Sequence, residues 1–156
     1  MADSAAIIPE LEKYINPQLK NEWAAAKQAR IKKFSNKEEL HKQEALLKQQ
    51  MNLLAFLYSQ KIKLLAGSDF AGMPFVYPGF GLHKELELMV QSGIPAAEVL
   101  KAATINPSVY LGIENKYGSV APGKYADLIL LNKNPLANIK NTLTIFKVFK
   151  KGRQVN

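Results

Sequence analysis

The chain has 156 residues, 47% of them hydrophobic, with 21 Lys and Arg against 13 Asp and Glu for a formal charge of +8, and no cysteine. That size and apolar fraction suit a globular domain with a core rather than a disordered chain, and the missing thiols exclude disulfides and thiolate metal sites, leaving only His41 and His83 beside carboxylates as metal donors. Residues 1–66 and 67–156 each carry a surplus of four positive charges (11 against 7, and 10 against 6), which argues against the concentrated basic face of a nucleic-acid binder, and no apolar run approaches the ~20 residues of a membrane span.

Residues 1–17 give no periodic signal and lack the charged-then-apolar layout of a signal peptide, so no targeting segment is expected in them. Asn16-Pro17 reads as a turn, and Gln18 to Lys33 then reads as a helix with Leu19, Trp23, Ala26 and Ile31 on its apolar face. Trp23 is a packing residue at that spacing rather than a stacking platform. Ser35-Asn36-Lys37-Glu38 matches a capping box with Ser35 as N-cap. The helix it starts should run to about Gln60. On it Leu40, Leu47 and Leu54 recur every seven residues with Leu46, Leu53 and Leu57 alongside, a broad apolar stripe that something must cover. His41, between Leu40 and Lys42, sits at the edge of that stripe as a boundary residue rather than a ligand.

Ile62 to Ala66, apolar but for Lys63, reads as a short buried strand, and Gly67 lets the chain turn before a single carboxylate, Asp69. In folds built on parallel strands, ligands and catalytic groups collect at the C-terminal tips of the strands. An Asp just past a strand is equally at home as a turn former or helix N-cap. A strand of this type requires neighbours in its sheet. No comparable strand precedes it, so the chain holds one core strand of a parallel sheet without the others.

Phe70 to Gly81, rich in Gly, Pro and aromatic residues, reads either as a pocket-lining loop or as a packed connector. Leu82, Leu86, Met89 and Val90 share a helical face that Gly93 stops. His83 and Glu87 lie one turn apart on that helix, either as a site or, more simply, as a surface contact. Pro95 starts a further helix with Val99, Leu100 and Ala103 inward, Asn106-Pro107 ends it, and Val109 to Gly112 closes a short turn. Beyond Gly112 the pattern changes. Asp127 to Leu131 is an apolar strand, Thr144 to Lys150 alternates, and Gly152 turns the chain before Arg153, so residues 113–156 read as a small antiparallel β element.

Gly67-Ser68-Asp69 is followed by Pro78-Gly79-Phe80-Gly81-Leu82-His83-Lys84-Glu85-Leu86, then Ala102-Ala103-Thr104, Asn106-Pro107 and Leu111-Gly112. Gly118, Gly123-Lys124, Ala126-Asp127-Leu128, Asn134-Pro135-Leu136, and Val148 with Gly152-Arg153 complete the series. In this order and spacing the residues from 60 onward resemble the C-terminal end of the metal-dependent amidohydrolase superfamily, in particular its imidazolonepropionase-like and Xaa-Pro dipeptidase-like branch.

The resemblance implies an α/β fold: the C-terminal portion of a (β/α)8 amidohydrolase barrel over residues 1–112, and the C-terminal strands of a small β-sandwich over residues 113–156, mostly helical as an isolated chain. It implies a hydrolase of amide bonds in dipeptides or cyclic amides. Asp69 matches the aspartate closing the eighth strand, which in the family binds a divalent metal, zinc by expectation, and handles the proton of the attacking water. His83 matches a position in the following loop and helix and is assigned to substrate binding. The family's His-x-His pair, its bridging Lys or Glu and its two further single histidines are absent from these residues, so the chain alone is expected to be inactive.

The expected partners are a small-molecule or dipeptide substrate, and the rest of the barrel or a second copy to cover the orphan strand. A reading from a different class is a non-catalytic helical module whose Leu40/Leu47/Leu54 stripe binds another protein.

Overall fold

The computed structural model describes residues 9–34, 36–69 and 76–155. The chain forms two compact units, residues 1–53 with 68–81, and residues 54–67 with 82–156.

The first unit opens with a 3-10 turn at Pro9–Tyr14, followed by α1, Pro17–Phe34, and most of α2, Lys37–Ser59. Asn16 is the N-cap of α1: its side-chain oxygen accepts from the Leu19 N–H at 2.8 Å and its carbonyl from the Lys20 N–H. Pro17 stands at the first helical position, where its missing N–H would have had no partner. The Asn-Pro pair that reads as a turn is therefore the start of the helix. Similarly, the Asn36 side chain caps α2 by accepting from the Glu38 N–H at 2.9 Å, while Ser35 lies outside the described residues. Ile15, Trp23 and Tyr77 form the core of this unit with Leu11, Leu19, Ala26 and Phe80 around them. Trp23 meets Tyr77 edge to face, centroids 5.1 Å apart, which confirms it as a packing residue. The apolar stripe of α2 is only partly covered: Leu40, Leu47, Leu54 and Leu57 are half-buried, while Leu46 and Leu53 are exposed.

In the second unit three helices end in one way. After α2, after α3 (Phe80–Gln91) and after α5 (Ile105–Tyr110) the chain enters the left-handed region at Lys61, Gly93 and Gly112. In each case the next N–H reaches back over the last turn, from Ile62 to the Leu57 carbonyl, Ile94 to Met89 and Ile113 to Ser108. These are Schellman caps, two of them with the expected glycine and one with a lysine. The cap after α3 turns Ile94 into the core beside Leu86, Met89, Val99, Ala102 and Ile139, with Leu54, Tyr58, Leu64 and Ala66 packed around them.

Between α3 and α5 lies α4, Ala96–Ala103, with Pro95 as its N-cap. Asn106-Pro107 does not end this helix but falls inside the first turn of α5. A proline there removes no intrahelical bond, because the first N–H groups of a helix have no acceptor.

Residues 62–69 run extended, yet among the described residues no strand pairs with them. The buried strand expected here is instead half-buried: Leu64 and Ala66 pack on the core, while Ile62 and Leu65 are 49% and 46% exposed. Two bonds from outside any ladder hold it. The Ala66 N–H donates to the Ala102 carbonyl at 2.9 Å, and the Asn106 side-chain amide donates to the Leu64 carbonyl at 2.9 Å.

The C-terminal sheet is antiparallel in the order β1 (Leu128–Leu131), β2 (Ile145–Lys150), β3 (Arg153–Gln154), with a 3-10 turn at Ile139–Leu143 between the first two. Lys151 and Gly152 both take positive φ, the two-residue hairpin turn whose twist suits the flanking strands. Asp127 steadies it by accepting from the Lys151 N–H at 2.6 Å. Ahead of the sheet, the Lys124 ammonium donates to the carbonyls of Glu114 and Tyr117 and to the Ser119 hydroxyl, gathering residues 114–125 around one cation.

Candidate functional site

Asp69 stands exposed at the end of the extended segment with φ +49°. Aspartate is among the residues that visit this left-handed conformation, since a short polar side chain can offset the Cβ crowding by hydrogen-bonding locally. The stem of the loop beyond it closes at Gly81, where an added Cβ would lie 2.7 Å from Val76 Cγ1 and 3.3 Å from Ser68 Cβ. Only a residue without a side chain lets the two ends of the loop approach so closely. Residues 70–75, in the stretch read as a pocket-lining loop or packed connector, lie outside the described residues.

His83 sits on α3 of the second unit and does not meet Glu87. Its Nδ1 lies 2.9 Å from the Thr142 hydroxyl, which donates its single proton to the Ile139 carbonyl at 2.8 Å. The imidazole therefore carries its proton on Nδ1, as donor to Thr142, and keeps a bare lone pair on Nε2. Burial pushes its pKa below the ordinary histidine value, favouring the neutral ring. Glu87 takes Lys84 at 2.7 Å and Lys140 at 3.4 Å, and the Lys84 ammonium holds its carboxyl below the usual range. Between them in sequence, Glu85 is half-buried, and burial pushes its carboxyl up.

His83 and Thr142 line a recess of about 520 Å³ whose walls include Leu86, Leu100, Leu128 and Ile129, a largely apolar hollow that also meets Asp127, Thr104 and Ser119. A larger hollow of about 690 Å³ lies beside Ile62, Lys63 and Leu64, bounded by Tyr58, Glu98 and Lys101. It borders the start of the extended segment, whereas Asp69 is at the end.

Among the described residues no three His, Asp or Glu side chains converge where a metal ion could be held. Asp69 offers one carboxylate, and the residues present do not by themselves fit a divalent metal. Among the described residues, too, no helix is long and apolar enough to cross a membrane.

Two polar residues that hold this region carry no signal in the sequence. Thr142 is buried under His83, 59 positions away in the chain. Ser108 is buried against Gly118, where a Cβ would lie 2.9 Å from the Thr104 carbonyl and overlap the Ser108 hydroxyl. Buried hydroxyls of this kind are recognisable only once their partners are in place.

The model of the amidohydrolase family matches residues 13–155. A crystal structure of a Xaa-Pro dipeptidase with bound methionine in its active site is similar with a TM-score of 0.61 and 30% identity, over 68% of this chain and 25% of that one. The imidazolonepropionase of Thermoplasma acidophilum is 54% identical over 37 residues, 24% of this chain and 9% of its own length. The adenine deaminase of Rubrobacter xylanophilus is 34% identical over 56 residues, 36% of this chain and 9% of its own length. The chain thus spans about a quarter of the solved dipeptidase and about a tenth of these two curated relatives.

Proposed function

The chain belongs to the amidohydrolase family, and from that premise we propose that it is part of a metal-dependent hydrolase of amide bonds in dipeptides or cyclic amides, contributing the Asp69 carboxylate. The observation that carries this reading is the exposed carboxylate of Asp69, set in a left-handed turn at the end of an extended segment whose Ile62 and Leu65 side chains remain open. Dipeptidase and deaminase relatives support a hydrolytic reaction at carbon–nitrogen bonds.

A divalent metal, zinc by expectation, would supply a water of lowered pKa. Its remaining donors would come from outside these residues. The part left to Asp69 is to accept a proton from the reacting water and return it to the leaving amine. His83, neutral and anchored through Nδ1, has Nε2 free to accept a hydrogen bond from substrate.

The test has two arms. Purified and loaded with zinc, these 156 residues should hydrolyse no Xaa-Pro dipeptide and bind zinc no more tightly than an Asp69→Asn variant. In the longer polypeptide or assembly that contains them, Asp69→Asn should lower kcat by at least 10²-fold, within the range assigned to a general acid–base group. Zinc-dependent hydrolysis by the chain alone, or full activity of the Asp69→Asn assembly, would overturn the proposal.

A second reading is the helical interaction module: the Leu40/Leu47/Leu54 line is half-buried, with Leu54 packed on the core, and the exposure of Leu46 and Leu53 alongside favours it. Binding of a partner that is lost on Leu46→Lys and Leu53→Lys, with no hydrolase reading frame beside the gene, would select it.

A further inference from the structure

The 3-10 turn that carries Thr142 is fixed from several sides before it meets α3. Ile139 is buried in the core of the second unit, the Asn138 side chain accepts from the Lys140 N–H at 3.0 Å, and the Asn141 amide donates to the Asn134 carbonyl at 2.8 Å. One helical turn beyond His83, Glu87 pairs with Lys140 at 3.4 Å. Helix and turn are thus joined at two points, and Thr142 reaches the imidazole from a supported frame.

The direction of the two hydrogen bonds follows from the hydroxyl having one proton. Were that proton given to His83 Nδ1, the Thr142 oxygen would set a lone pair against the Ile139 carbonyl at 2.8 Å with no proton between them. With the proton on the carbonyl side, a lone pair of Thr142 is left to accept from Nδ1 at 2.9 Å. The neutral Nδ1–H ring and the imidazolium both satisfy this arrangement. The neutral Nε2–H ring does not, because it would place two lone pairs face to face. His83 can therefore gain or lose a proton only at Nε2, and among the described residues only its Nδ1 is bonded.

We propose that Thr142 is a positioning residue: by fixing the tautomer of His83 it makes Nε2 an acceptor, so that the substrate group meeting this histidine is a hydrogen-bond donor. The tautomer is a property of these 156 residues alone, whereas the contact with substrate rests on the hydrolase reading above. In alanyl-proline the donor would be the terminal amine, since the proline nitrogen carries no hydrogen. Propionyl-proline, the same molecule without the amine, offers His83 nothing.

The tautomer is read directly from nitrogen-15 imidazole spectra, which separate a protonated ring nitrogen from a bare one. A His41→Gln background leaves His83 as the single histidine, and its neutral ring should carry the proton on Nδ1. Thr142→Val keeps the shape of the side chain without the hydroxyl and should let the proton move to Nε2. Thr142→Ser, which keeps the hydroxyl, should restore Nδ1–H. A neutral ring protonated on Nε2 in the unmodified chain, or Nδ1–H retained in Thr142→Val, would overturn the proposal.

The substrate contact is read in the longer polypeptide or assembly that contains these residues. There Thr142→Val should raise KM for alanyl-proline about two- to tenfold, the worth of one hydrogen bond, with kcat and the KM for propionyl-proline little changed, and Thr142→Ser should recover the loss. An equal rise for both substrates, or none for alanyl-proline, would overturn the donor assignment and leave Thr142 a structural residue. Full activity of the Asp69→Asn assembly would instead remove the hydrolase reading and the substrate contact with it, while the tautomer result would stand.

Discussion

Asn106→Leu is the substitution that most directly tests how the Asp69 segment is held. The Asn106 amide donates to the Leu64 carbonyl at 2.9 Å, in a segment with no ladder to share the load. Losing such a bond costs about 0.5–1.5 kcal/mol, and leaving a buried acceptor unpaired about 1–3 kcal/mol. Leu64 is half-buried, so water reaches part of the way in, and of these the unpaired-acceptor cost governs at the middle of its range, about 2 kcal/mol. For a chain of this size that is a fall in Tm of about 4–8 °C. The sharper readout is local. The Ala66 N–H, bound to the Ala102 carbonyl two residues along, should exchange with solvent markedly faster in the variant, while the Met89 and Val99 amides in the core follow only the global change. Unchanged exchange at Ala66 together with an unchanged Tm would show that the segment is held by packing alone.

Three further outcomes follow from the caps, the glycine contact and the buried imidazole. Lys61 stands where the other two Schellman caps have glycine, so Lys61→Gly should raise stability by about 0.5–1 kcal/mol, the left-handed strain relieved less the entropy of a glycine in the unfolded chain; a loss in chemical denaturation would contradict the cap. Gly118→Ala should cost about 3 kcal/mol or more, from left-handed strain and overpacking on Ser108 and Thr104, and Ser108→Gly should recover only part of it, because the Thr104 carbonyl cannot move away. His83 prefers to be neutral in the folded chain, so the unfolded chain takes up a proton first: the stability present above about pH 7.5 should fall as pH drops through 6.5, until the folded-state pKa is passed. His83→Gln should flatten that slope between about pH 5.5 and 7.5, a window chosen to stay above the opposite effect of the raised Glu85 carboxyl, which loses its penalty as pH falls further. A slope that persists in the variant would assign it to another group.

What the sequence discloses and what it hides divide along the range of the interactions. Gly93, Gly112 and Gly152 announce their turns because the left-handed conformation has few other tenants, and Thr144 to Lys150 announces a strand, although its burial does not alternate and Ile145 and Phe146 are both exposed. Asn16-Pro17 and Asn106-Pro107 are misread as a turn and a stop for one reason. Asn before Pro is a punctuation signal, and nothing local says whether a helix is ending or beginning there. The apolar run at Ile62 to Ala66 correctly marks a segment that wants neighbours, but its actual supports are one side-chain amide and one helix carbonyl. The motif around Asp69 is legible as a string. The link from His83 through Thr142 to the Ile139 carbonyl is not, because it joins a helix to a 3-10 turn across 59 positions by a contact that no periodicity encodes.

Lys124 shows what a formal charge can conceal. Its ammonium is committed to three oxygens of the loop it closes, so an acylating reagent offered to all 19 lysines and the α-amine should reach this amine late. Once capped there, the loop would lose its fastener along with the charge. Mass-spectrometric labelling of intact and acylated chains would then read residues 114–125 as a clasp that opens when its ammonium is made a neutral amide.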